Sequence, residues 1–210
     1  MKRIRRLPIA LAILAGLAIH PQKTVLAKGG VCGTCPVSGV VSTATQSLGA
    51  GTPSGGTCST GKGANGYPIP DPKCTPGAFN PTVTVARFGA RGFTTKCVRD
   101  CLTNGKQKAA TYKSYRISQN PSCELDHLVP LEMGGADSLD NIWPQCGQAP
   151  DGRNYKDIKD QVEQYLAIQV VLGMDIDQAR SGVATDWSQY ISAAEAFCAA
   201  QSCDIQTYRK

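Results

Sequence analysis

The sequence predicts an α+β fold with additional C-terminal helices, preceded by a cysteine-rich irregular arm. Three observations carry that prediction. Two short strand-like segments, 124–131 and 141–144, flank a Gly134-Gly135 turn signal, and an amphipathic stretch from Arg153 to Leu172 follows them. Residues 28–66, by contrast, are rich in Gly, Ser and Thr and offer little apolar surface to offset chain entropy.

The elements follow in chain order. Residues 1–27 read as an export signal: Lys2, Arg3, Arg5 and Arg6 precede an apolar run from Leu7 to Ile19, and Val25-Leu26-Ala27 sets up cleavage before Lys28. The run is short for a membrane span and contains Pro8, and no later segment is apolar enough to cross a bilayer. An uncleaved anchor is the alternative. A secreted or periplasmic chain without stable membrane association is expected. Residues 28–75 form the Gly/Ser/Cys-rich arm, closed by an extended Pro-rich linker from Tyr67 to Pro72, and 76–210 form the folded domain. Within that domain Thr82–Ala86 alternates as a short strand does, and Asn104–Tyr115 is weakly helical. Glu124–Leu131 reads as a strand ending near Pro130, with Asn141–Pro144 returning beside it. In Arg153–Leu172, Ile158, Val162, Tyr165, Leu166 and Gln169 share one side at helical spacing, with Gly173 as the stop. Further helices are expected near 176–183 and 187–201.

Ten cysteines, all beyond the signal, are an even number in an exported chain and imply disulfides. Cys32-x2-Cys35 has zinc-ligand spacing, but its nearest partner pair, Cys97 and Cys101, lies too far along the chain for a zinc ribbon. The spacing alone does not fix their connectivity. Cys123 and Cys146 bracket both strand-like segments, so a bond between them would restrain whatever lies between. A catalytic thiol is disfavoured.

The formal charge of +6 is concentrated at the start of the chain: five of twenty-two basic residues precede Lys28, leaving seventeen against sixteen acids. What remains is uneven. Arg87, Arg91, Lys96, Arg99, Lys106, Lys108, Lys113 and Arg116 are opposed only by Asp100, whereas 117–210 is acidic. A basic segment beside an acidic half suits a localised polyanion contact, with a solvated charged face as the competing reading.

The chemistry concentrates in Asp126-His127-x-x-Pro130-Leu131-Glu132-x-Gly134-Gly135, followed by Asn141-x-Trp143-Pro144-Gln145. His127 is the only histidine after residue 27, and a side chain that titrates near neutrality suits proton abstraction from water. Asp126 is a hard oxygen ligand suited to Mg²⁺. Asn141 both donates and accepts, so it can pin the loop that presents the histidine. Trp143 reads as core, and Glu124 and Glu132 as solvated carboxylates.

This motif resembles the HNH endonuclease family, in particular its small exported bacterial branch, over roughly 122–172. The resemblance implies a ββα-metal core that hydrolyses DNA, with RNA as a second candidate. It implies His127 as general base, Asp126 as metal ligand, and Mg²⁺ as cofactor, with Mn²⁺ or another divalent cation as substitutes. The sequence departs from the family on the helix, where a histidine commonly completes the metal site. Aligning on Lys159-Asp160 leaves Asp157 there, with Asn154 one turn earlier, as candidate second ligands; ordinary helix-start polar residues are the alternative. Arg99, Lys113, Arg116, Lys156 and Lys159 are the candidate phosphate contacts. A catalytically inactive nucleic-acid binder on the same scaffold, or a disulfide-rich envelope interaction protein, are the rival functions.

Overall fold

A computed structural model describes residues 35–40, 57–99 and 105–210, without the side chains of 105–108. The expected signal at 1–27 and most of the arm lie outside the described residues. Two strands open the described domain, β1 (Gly61–Lys62) and β2 (Pro68–Ile69), paired antiparallel. Then come α1 (Val85–Phe88), α2 (Gly105–Ser114), β3 (Cys123–His127), β4 (Ile142–Cys146), α3 (Tyr155–Val171), α4 (Ile176–Asp186) and α5 (Ile191–Ala200). Short 3₁₀ turns sit at Thr95–Cys97, Leu131–Met133, Trp187–Tyr190 and Ile205–Thr207. The expected α+β composition is present.

β3 and β4 pair antiparallel with Cys123 opposite Cys146, Asp126 opposite Trp143 and His127 opposite Ile142. β4 packs against α2 and α3, which explains why Ile142 to Gln145 are all buried despite belonging to a two-stranded sheet. α3 is the central helix: Ile158, Val162 and Leu166 are buried at the predicted spacing, and α5 lies along it. α4 is capped by Asp175, whose carboxylate accepts from the Gln178 amide.

Two expectations are corrected. Thr82–Ala86 is not a strand. Asn80 Oδ1 accepts from both the amide and the hydroxyl of Thr82, at 3.0 and 2.7 Å, turning the chain into α1. Alternation there reflects only Val83 entering the core. The Pro-rich stretch is also no free linker. Tyr67 stacks edge-on against Tyr155 and Trp187, each at 5.6 Å, and Trp187 Nε1 donates to the Pro68 carbonyl at 2.8 Å. Packing therefore begins before residue 76, because this segment covers the end of α3.

Among the described residues, eight cysteines form four disulfides: Cys35–Cys97, Cys58–Cys74, Cys123–Cys146 and Cys198–Cys203. Cys32 and Cys101 lie outside the described residues. The first bond ties the arm to the domain, the second closes a loop within the 28–75 segment, and the third closes the open end of the β3–β4 hairpin. No helix among the described residues is long and apolar enough to cross a membrane.

Candidate active site

The loop between β3 and β4 is shaped by the residues the motif supplies. Asn141 is fully buried and spends its whole amide on that loop: Oδ1 accepts from the Val129 amide at 2.8 Å, and Nδ2 donates to the Val129 and Ala136 carbonyls at 2.9 Å each. Gly134 adopts a left-handed φ of 80°, which ends the 3₁₀ turn. Gly135 is required for a different reason, since a Cβ there would run into the Val129 carbonyl and crowd Asn141 Nδ2. Arg180 reaches across from α4 to the Met133 carbonyl at 2.8 Å and holds the loop from outside. Gly135→Ala is therefore expected to destabilise the protein by about 1–3 kcal/mol, the usual scale for overpacking. A denaturation midpoint unchanged from the parent protein would show that the loop absorbs the methyl group.

That loop places Asp137 against His127. Nε2 of His127 lies 2.8 Å from Asp137 Oδ1, and Asp137 is only 2% exposed. Opposite an ionised carboxylate, which only accepts, a neutral ring carries its proton on Nε2 and keeps its lone pair on Nδ1. Nδ1 has no partner among the described residues.

Asp126 is held from behind. Its Oδ2 takes the Trp143 indole N–H at 3.1 Å and the Lys159 ammonium at 2.9 Å. Oδ1 has no partner among the described residues. Lys159 also donates to the His127 carbonyl at 2.8 Å and pairs with Glu163. Burial opposes its charge, but the adjacent Asp126 and Glu163 outweigh that and raise its pKa above the ordinary lysine value.

Asp126, His127 and Asp137 open onto a groove of about 790 Å³ that Asp160, Glu163 and Gln164 line from α3, and Arg99, Thr111 and Tyr112 from the other side. Carboxylates crowd it. Burial, then the charges of Asp126 and Glu124, raise the Asp160 pKa; burial and the Asp126 charge raise that of Glu163 against the pull of Lys159. Glu132 is raised chiefly by burial and accepts from Gln164 at 2.8 Å, so it is not simply solvated.

Several assigned positions differ from expectation. Asp157 and Asn154 do not line the groove. They are helix-start residues bonded to one another at 3.1 Å, Asn154 partly buried and Asp157 exposed, and Asp157 suits the positive end of α3. Asp160, one turn on, is an α3 carboxylate that lines the groove together with Asp126, as Glu163 does. Lys159 is 0% exposed and committed to three acceptors, so it is not a phosphate contact. Lys156 is half-exposed and pairs with Glu124 at 3.3 Å. Of the remaining candidates Arg99 lines the groove, while Lys113 and Arg116 are exposed at the end of α2 and outside its lining. Trp143 is fully buried, in keeping with a core role. Sequence reasoning missed Asp137, Asp160 and Glu163.

No family model, curated protein or solved structure matches this chain.

Proposed function

We propose that this protein is an exported, divalent-metal-dependent endonuclease of the HNH type, acting on DNA and with RNA as a second candidate substrate. The observation that carries the reading is the buried Asp137 bonded to His127 beside a groove that also presents Asp126 and Asp160. The order hairpin, Asn-pinned loop and helix supports it, as does the motif resemblance. Four disulfides suit an oxidising compartment outside the cytosol.

The donor chemistry fits a hard cation. Asp126 Oδ1 and the Asp160 carboxylate are the oxygen donors in the groove that would hold it. Mg²⁺ keeps several waters and accepts one or two carboxylates, whereas zinc favours nitrogen and sulfur donors. Such an ion would stabilise charge on the phosphate and the leaving oxygen. His127 Nδ1 takes the proton from the attacking water, and Asp137 stabilises the resulting imidazolium. Asn141 keeps the loop that carries Asp137 in place. Arg99 meets the nucleic-acid backbone at the groove wall.

The deciding experiment is digestion of supercoiled plasmid by purified oxidised protein, with EDTA and with Mg²⁺ added back. Nicking that EDTA abolishes and Mg²⁺ restores is expected. α3 presents no histidine to the groove, which favours a binding-only scaffold as the second reading; plasmid that is bound but never cut would establish it. If Arg99, Lys113 and Arg116 contact phosphates, each Ala variant should reduce the slope of log affinity against log salt by about 0.9. Slopes unchanged in all three would make this segment a solvated face.

A further inference from the structure

Lys159 is the feature the proposed mechanism does not use. It is the only lysine among the described residues that is fully buried, and its one nitrogen touches both residues of the Asp126-His127 pair. The Asp126 carboxylate and the His127 main chain are therefore fixed to the same point on α3, with Glu163 one turn along as the third acceptor. Together with Trp143, Lys159 occupies Oδ2 of Asp126 and leaves Oδ1 for the groove.

We infer that Lys159 is a positioning residue with a second effect: it fixes Asp126 and His127 relative to each other and, as a resident positive charge beside the metal-binding carboxylate, keeps the site's affinity for divalent cations low. This rests on the metal-dependent reading above. An ammonium hydrogen-bonded to a ligand oxygen repels an incoming cation while orienting the oxygen that receives it. Removing it should thus have opposite effects on metal binding and on turnover. Loss of fold alone cannot do that, because an unfolded fraction lowers both.

The test uses Lys159→Met, Lys159→Arg and the parent protein, each checked for a cooperative melt. Mn²⁺ binding is read by calorimetry at pH 7.5, and cleavage is read separately at saturating metal. Lys159→Met should bind Mn²⁺ more tightly by about tenfold, since one charge next to a divalent ion is worth on that order even with bulk-water screening. Its turnover should fall by roughly 10²-fold, because misplaced reacting groups lose about that much. Lys159→Arg keeps the charge but cannot set one nitrogen against all three acceptors, so its Mn²⁺ affinity should stay within about threefold while turnover drops. A folded Lys159→Met with unchanged or weaker Mn²⁺ binding overturns the inference, as does full turnover in Lys159→Arg should the Met variant fail to fold. Absence of Mn²⁺ binding to both the parent protein and Lys159→Met would instead overturn the metal reading, and this inference with it.

Discussion

His127→Ala is expected to reduce phosphodiester hydrolysis by roughly 10²–10⁴, the scale of general acid–base catalysis. The expectation is sharp because His127 is the only histidine after residue 27. No other imidazole can take over the proton. The side chain is mostly enclosed, with 14% exposure, and Nε2 is bound to Asp137, so the ring supplies one nitrogen to the groove. Calorimetric Mn²⁺ affinity and DNA affinity should change little, since the ring holds neither in the proposed site. Asp126→Ala should instead weaken Mn²⁺ binding and recover part of its activity at excess metal. Near-parental cleavage by His127→Ala would reject the mechanism. Equal loss of metal binding in both variants would make His127 a ligand and leave the base unassigned.

The parts of this site that were legible in the sequence are those where residue type dictates a backbone job. Asn141 and the two glycines are examples: a buried amide that satisfies three main-chain groups has few substitutes, and neither has a glycine against a carbonyl. The helix was legible through its apolar period. The same period misled on its polar side. Lysine is rarely buried without a partner, so Lys159 read as a surface cation. Glu163, four residues on, was the available signal, because an i,i+4 carboxylate can accompany a lysine into the interior. Anchoring the helix on the Lys-Asp pair placed the ligand at Asp157, whereas the groove takes 160, one turn further, and 163 and 164, two turns further. Asp137 was hidden differently. It sits between Gly135 and Asp140 in a turn, where an acid usually faces water, and only the folded loop brings it beside a histidine ten residues earlier.

Asp137→Asn tests that contact most directly. Asparagine matches the shape of aspartate, and its carbonyl can still accept from Nε2–H, so the loop should keep its fold. Two things are lost. The amide can also donate, so Nε2–H is no longer the enforced tautomer, and a neutral group no longer stabilises the imidazolium formed when water gives up its proton. Turnover should fall on the order of 10²-fold or more, with Mn²⁺ affinity and the melting temperature close to the parent values. The effect should act through His127. The double variant with His127→Ala should be no slower than His127→Ala alone, because a pair working as one unit does not lose its contribution twice. Additive losses would place Asp137 in a separate role, such as a second contact to metal or substrate. Full activity in Asp137→Asn would show that the 2.8 Å contact only fills space, and the general base would then need no carboxylate behind it.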